Sequence, residues 1–304
     1  MTVPHAASQE GNAAVMGGGA AARALFSSLA IAGSLLPRAL LEPLAFATAR
    51  AAARFVPALA DNAQRLLGAS STSQARRAIV HSQLQGFARF VCAMARPGPR
   101  ESYPEGIARI AGPERLAKAL TAGRGVVAVS LHLGVYELAA AAIASQIPPD
   151  ENGSRVAIIY RRDPSRLWER RRARFRAERG VVGIAQDGSA FFAVEALSVL
   201  RRGGAVLVAA DQPDPRSGVR VNFFGAPTTL SSLPARLAIA ADAPMLPAFL
   251  VEEPEGRVLV LEEPFSPSEK DAETLTRELA PILERRLKAS AGQWLMMRRF
   301  WEPA

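Results

Sequence analysis

Four short apolar runs, separated by stretches long enough for a helix, constrain this 304-residue chain more than any other feature. They are Gly125-Val-Val-Ala-Val-Ser, Arg155-Val-Ala-Ile-Ile-Tyr, Val181-Val-Gly-Ile and Ala205-Val-Leu-Val-Ala-Ala. Each is short enough for a strand, rich in β-branched residues and almost free of polar positions, so neither face of such a strand can be wet. The spacers 137–146, 165–179 and 190–201 read as helices. Apolar strands alternating with helices predict an α/β fold: a single, mostly parallel sheet covered by helices on both faces. Val219 to Phe224 reads as an edge strand and 232–241 as a helix. Met245–Val251 and Val258–Leu261, joined through Glu-Glu-Pro-Glu-Gly, read as an antiparallel hairpin at one edge, followed by a last helix over 271–289.

The α/β domain is expected over 101–304, after the break Arg96-Pro-Gly-Pro-Arg100. Before it, residues 1–20 form a small-residue tail without a packing pattern, and 21–100 a helical region. The charge is uneven. Residues 1–100 hold ten arginines, no lysine and three acids, so +7 of the formal net charge of +9 lies there. A basic, apolar N-terminal third suits an anionic membrane surface or an acidic partner. With 6% aromatics and no basic stripe interleaved with aromatics, the composition does not fit a nucleic-acid binder. Between Arg23 and Arg38 the uncharged span is 14 residues, short of the 18 or so of a spanning helix. Leu25, Leu29, Ala32 and Leu36 form an apolar row along it. Residues 22–60 are read as one or two helices lying on the membrane, interrupted near Pro37 and Pro43; a buried helical hairpin is the other solution. A further helix is expected over 71–95, with Ser73 as its cap and Ala78, Leu84, Phe87, Phe90 and Val91 on its apolar face. The acid-containing N-terminus, with no small-x-small cleavage site, does not fit a secretory signal.

The strand opening at Gly125 delivers His132 to its C-terminal tip, where open α/β sheets place their sites. Glu137 follows five residues later as a helix begins. Within one helix that spacing would separate the side chains by roughly 140°. Across a strand-to-helix corner the carboxylate can return to Nδ1, fix the tautomer and leave Nε2 as a general base. A corner histidine beside an ordinary helix-start acid is the competing reading. Arg161 and Arg162 follow the next strand and suit an anion, unless they are plain surface arginines. Asp211 follows the strand 205–210 and is either a functional carboxylate or a turn residue. Arg220 and the pair Phe223–Phe224 end the expected edge strand; the phenylalanines either line an acyl groove or cover the sheet edge.

Other chemistries lack their residues. One cysteine, Cys92, excludes an intrachain disulfide and any cysteine cluster for a metal. His132 has no partner at ligand spacing, so no metal site is expected. There is no G-x-S-x-G elbow, no G-x-G-x-x-G and no P-loop lysine pattern, so serine-esterase and nucleotide readings fall away and no cofactor is expected.

His132-Leu-Gly-Val-Tyr-Glu137 resembles the H-x4-D/E box of glycerolipid and glycolipid acyltransferases. Tyr160-Arg161-Arg162, Arg201-Arg-Gly-Gly204, Asp211-Gln212, Asn222-Phe-Phe-Gly-Ala-Pro227, Arg236-Leu-Ala238, Ala243-Pro244 with Pro247, and Gln293-Trp-Leu-Met-Met-Arg-Arg-Phe-Trp301 extend the likeness over most of residues 22–301. Asn62 matches an early asparagine. Together they are similar to the bacterial lipid A biosynthesis lauroyl/myristoyl acyltransferases, a branch that includes phosphatidylinositol mannoside acyltransferases. The resemblance implies acyl transfer from an acyl carrier protein or coenzyme A thioester to a hydroxyl of a membrane glycolipid, at the cytoplasmic face of a bacterial inner membrane. By residue, it implies His132 as base, Glu137 as the group that orients it, Asp211 as a second functional carboxylate and Arg161 as a donor or phosphate contact. Backbone amides around Gly134 are the nearest candidates for an oxyanion hole. Tyr136 replaces a common tryptophan and Met297 a frequent histidine, both affecting packing or acceptor shape. A 1-acylglycerol-phosphate acyltransferase and a non-catalytic lipid-binding relative are the alternatives.

Overall fold

The structure, a computed structural model, describes residue 31 and residues 37–53, 56–95, 107–162, 165–214 and 217–301. The expected tail 1–20 lies outside the described residues, as does most of the 22–36 segment.

Ile31 is helical, and from residue 37 on the described residues open with three helices: α1 (Arg38–Ala53), α2 (Ala58–Leu67) and α3 (Ser73–Ala95). α1 runs through Pro43 instead of breaking there. Pro43 is the sixth residue of α1, so its ring removes one backbone bond inside the helix, yet the helix continues through it. Leu41, Ala45 and Ala49 of α1 are buried, and α1 packs on α3, while Leu40 and Leu44 remain exposed. One side of α1 thus follows the buried-hairpin solution and the other faces solvent. The α3 cap is Thr72, whose Oγ1 accepts from the Ala75 N–H at 3.1 Å, and not Ser73. Among the described residues no helix is long and apolar enough to cross a membrane.

The α/β part follows as β1 (Ile107–Ala111), α4 (Pro113–Leu120), β2 (Val126–Ser130), α5 (Glu137–Ala144), β3 (Val156–Tyr160), α6 (Arg166–Ala177), β4 (Val182–Ala185), α7 (Phe191–Arg201) and β5 (Ala205–Ala209). Then come β6 (Gly218–Phe223), β7 (Ala226–Ser231), α8 (Leu233–Ala241), β8 (Met245–Glu253), β9 (Gly256–Leu261) and α9 (Ala272–Ala289). Seven strands form the main sheet in the order β1-β9-β8-β2-β5-β3-β4, parallel except for the β8–β9 pair. β2 is buried at every position. Its alternate residues feed two separate cores. Val126 and Ala128 pack with α1, α3, α5 and α6, while Val127 and Val129 pack with α7, α8, α9 and the C-terminal aromatics. The N-terminal helices therefore share a core with one face of the sheet. Gly204 before β5 permits the tightest backbone approach, since a Cβ there would stand 2.1 Å from the Arg155 carbonyl.

Two expectations change. The β8–β9 hairpin is not at the edge, because β1, unrecognised in the sequence, pairs with β9 outside it. The strand expected at 219–224 does not join the main sheet. It pairs with β7 in a separate two-stranded antiparallel sheet whose tight turn places Phe224 and Gly225 at φ 53° and 71°. The turn explains the adjacent phenylalanines: Phe223 ends the strand and Phe224 occupies the left-handed turn position, so neither alternation nor a common direction is required.

Candidate active site

Register builds the site. β2 and β5 are parallel neighbours paired as far as Ser130 and Ala209. Two residues beyond each, His132 and Asp211 meet across the tips. His132 Nδ1 lies 2.7 Å from Asp211 Oδ1, and the His132 backbone N–H donates to Oδ2 at 3.0 Å. Trp294 Nε1 donates to the same Oδ2 at 2.8 Å. Asp211 and Trp294 are fully buried, whereas the His132 side chain is 16% exposed. Burial opposes ionisation of Asp211, but the charge and ring hydrogen bond of His132, the Trp294 indole and the His132 amide together hold its carboxyl below the usual carboxylate range. A carboxylate kept ionised on Nδ1 selects the tautomer with its proton there and directs Nε2 outward.

The C-terminal segment completes this corner. The Leu295 N–H donates to the His132 carbonyl at 2.8 Å, and the Gly134 N–H to the Gln293 carbonyl at 2.9 Å. Asn62 of α2 clamps the segment, donating to Met296 O at 3.2 Å and Arg298 O at 2.8 Å and accepting from the Phe300 N–H at 3.2 Å. Because the Gly134 amide is spent on Gln293, it is not an oxyanion donor.

The cleft beside His132 opens where two strands part. β3 and β5 pair only to Ile158 and Leu207, after which β3 continues with β4 to Tyr160 and Ala185. Ser130, Tyr136, Tyr160, Arg161, Gln186 and Gln212 line the cleft with His132. This is the strand-order reversal at which open α/β sheets bind ligands. Tyr136 stacks on Phe90 at 5.4 Å between centroids and meets the His132 ring edge-on at 4.6 Å. Burial pushes its phenol up to about 12, so it is neutral and serves as a wall, not a base. Arg161 Nη2 donates to the Pro213 carbonyl at 3.1 Å and so ties the Asp211 loop to the cleft. Arg162 is exposed beside it. Arg298, absent from the sequence reading of the site, has its pKa lowered by burial and by Arg161, with Asp211 opposing, which puts a second guanidinium in this corner.

Glu137 does not orient His132. Its fully buried carboxylate accepts from Arg172 Nε at 2.6 Å and lies 3.8 Å from Arg176 Nη1, so it is engaged by α6 and not by His132. Two guanidiniums buried on α6 need a counter-charge, and the first turn of α5 supplies it. Burial works against the Arg172 charge, but the Glu137 carboxylate holds the guanidinium above its usual pKa. The orienting acid on Nδ1 is Asp211. Its place was visible as a strand tip, but its pairing needed the β2–β5 adjacency, which no local pattern reports. Three more expected site residues lie elsewhere. Arg220 faces a groove against Arg277 and Pro281 of α9. Phe223 and Phe224 pack on Trp301, whose Nε1 donates to the Phe223 carbonyl at 2.8 Å. They form the aromatic cluster under the C-terminus, not a groove at His132. Trp294 was legible only as part of the Gln293-Trp run, with nothing to show which side chain it serves.

Residues 24–302 match the family described as bacterial lipid A biosynthesis acyltransferase. The chain is 28% identical over 193 residues to a phosphatidylinositol mannoside acyltransferase of Mycobacterium tuberculosis, covering 63% of this chain and 59% of that protein. A protein of the same name from Mycolicibacterium smegmatis is 26% identical over 189 residues, covering 62% and 60%. The matched part thus spans about 60% of the length of these relatives. With a family match running from α1's approach to the last tryptophan, and both residues of the His132–Asp211 corner inside it, the chain belongs to the bacterial lipid A biosynthesis acyltransferase family.

Proposed function

We propose that this protein transfers a fatty acyl chain from an acyl carrier protein or coenzyme A thioester to a hydroxyl of a membrane glycolipid of the lipid A precursor or phosphatidylinositol mannoside type. The observation that carries the reading is the buried Asp211 carboxylate on His132 Nδ1 at the mouth of a cleft. Nε2 of His132 takes the proton of the acceptor hydroxyl as its oxygen attacks the thioester carbonyl. The tetrahedral adduct collapses with cleavage of the C–S bond, and the departing thiolate takes the proton back from the imidazolium. The products are an ester and a thiol, and His132 is neutral again. Asp211 stabilises the imidazolium while it exists, as the buried acid of a serine-protease triad does. The chemistry as drawn takes no cofactor and no covalent enzyme intermediate. Arg161, with Arg162 outside it, suits a phosphate of donor or acceptor. The protein works at the cytoplasmic face of the bacterial inner membrane.

The test pairs intact-lipid mass spectrometry of a deletion strain, complemented with wild type or His132→Ala, with turnover of an acyl thioester by the purified chain. One acyl chain is expected to disappear on deletion and to return with wild type only. Return of the chain with His132→Ala would remove histidine as the base.

A further inference from the structure

Among the described residues, five of the nine exposed large apolar side chains lie toward the same edge of the sheet as His132, on both sides of the cleft. On one side is α1, with Leu40 59% and Leu44 42% exposed. α1 is tied to this edge through Arg89, which donates to Glu42 at 3.2 Å and also to Glu252. Glu252 ends β8, which runs parallel to β2, and its N–H donates to Gln293 Oε1 at 2.7 Å, next to the His132 loop. On the other side are the first turns of α6 and α7, which follow the paired tips Tyr160 and Ala185 of β3 and β4. Here Leu167 is 39%, Phe191 76% and Val194 62% exposed. The cleft lies between these groups, since the strand order runs β8, β2, β5, β3, β4.

Charge accompanies the second group. Arg162, Arg166 and Arg170 are exposed, the last two one turn apart on α6. Asp163 follows Arg162 in the sequence; among the described residues the nearest exposed acids are Asp187, which interacts with Arg162, and Glu195. Glu169 is engaged by the Tyr160 hydroxyl at 2.5 Å. A protruding phenylalanine and valine flanked by arginines fit the interface of an anionic bilayer, apolar side chains entering the acyl boundary and guanidiniums meeting phosphates.

We propose that the first turns of α6 and α7, centred on Phe191 and Val194, form a second membrane foot, opposite the α1 foot, and that the two set the catalytic edge down on an anionic phospholipid bilayer. The inference rests on the reading of the acceptor as a bilayer lipid. It deepens that reading by stating how the cleft is presented: facing the membrane, between two points of contact. A docked carrier protein is the competing occupant, but an acidic surface would complement the arginines and leave Phe191 and Val194 without a role.

The full chain is sedimented with vesicles of phosphatidylglycerol and phosphatidylcholine, and compared with Phe191→Ser/Val194→Ser, Leu40→Ser/Leu44→Ser and Arg166→Ala/Arg170→Ala. Each apolar pair is expected to lower vesicle affinity about 10- to 100-fold, in line with the partial burial of two apolar side chains. The arginine pair is expected to weaken binding at low salt and to make little difference at high salt. A fluorophore on Phe191→Cys, in a Cys92→Ser background, is expected to blue-shift on vesicles. Unchanged affinity of Phe191→Ser/Val194→Ser with a wild-type melting profile, or absence of wild-type binding to the vesicles, overturns the proposal. So does a variant that binds vesicles normally and loses affinity for acyl carrier protein. Vesicle binding needs no turnover, so His132→Ala is expected to bind like wild type. If the docking result holds while transfer is unaffected by His132→Ala, only the chemical reading fails.

Discussion

Asp211 and Glu137 are both fully buried carboxylates close to His132 in the chain or in space, and each holds a nitrogen partner at 2.7 Å or 2.6 Å. Their partners make them different. Asp211 faces an imidazole whose other nitrogen reaches a cleft, so the pair can take up and release a proton. Glu137 faces Arg172, which is buried and always charged, with Arg176 behind it over the Tyr160 ring at 3.8 Å. One ion pair lies where β2 and β5 end; the other joins α5 to α6, and its arginine, at the cleft wall, stays charged and passes on no proton. A motif that places an acid five residues after a histidine therefore does not by itself identify the acid that serves the histidine. The longer-range partner performs that service, and the local acid holds together the framework behind it.

The comparison can be broken at either end. The largest effect is expected from His132→Ala, which should cut transfer about 10²- to 10⁴-fold, the scale of a lost general base, with little change in the melting profile. Asp211→Asn should follow at a similar order, since it leaves a group of the same shape that favours the wrong tautomer. Steady-state turnover of an acyl thioester with lipid acceptor measures both. If Asp211→Asn keeps wild-type turnover while Glu137→Gln loses it, the roles assigned to the two acids are reversed.

Glu137→Gln acts on folding. It leaves buried guanidiniums without their counter-charge and should cost about 3–5 kcal/mol of stability, read from denaturant unfolding. Glu137→Gln/Arg172→Met should recover part of that loss, because it removes the charge Glu137 pairs most closely and leaves only Arg176, which also has Glu169 at 3.9 Å. The activity lost in Glu137→Gln should then follow the folded fraction and leave the pH profile unchanged. Trp294→Phe is expected to be milder. Losing a hydrogen bond to a charged group is worth about 1.5–3 kcal/mol, so transfer should fall about 10- to 100-fold. The Asp211 carboxyl should also rise toward its ordinary value in the variant.

The smallest effect is one of pH. The folded Asp211 carboxyl is depressed, so its charge favours the folded chain above the ordinary carboxylate value of about 3.9 and this contribution is lost as the pH falls through the depressed value. The stability difference between wild type and Asp211→Asn should therefore be constant near neutrality and shrink below about pH 4. In Trp294→Phe the same contribution should fade at a higher pH than in wild type. A difference that grows on acidification would contradict the direction assigned to Asp211.

The elements read from period and composition survived because a buried parallel strand must be apolar throughout, and the helices between strands must carry an apolar stripe. β1 escaped notice because Ile107-Ala-Arg-Ile-Ala is a half-exposed edge strand with no continuous apolar run. β7, Ala226-Pro-Thr-Thr-Leu-Ser, carries a proline and few large side chains. Its partner β6 was assigned to the wrong sheet because alternation reports that a strand exists but not which strand it pairs with. His132 was legible as a residue at a strand tip. Trp294 and Asn62 were not legible as its supports, because their contacts span 83 and more than 230 residues.

The amino-acid sequence by itself determined a covered parallel sheet, the tip positions of His132 and Asp211, and the absence of nucleotide-binding and serine-nucleophile motifs, since these depend on period, residue type and local spacing. Only the tertiary structure decided that β5 lies beside β2, and so which carboxylate meets the imidazole. Strand adjacency is set by how whole helices fill the two faces of the sheet, and that packing energy is spread over residues far apart in the chain. The same packing turned Glu137 inward to two arginines and left Phe191 and Val194 exposed in the first turn of α7.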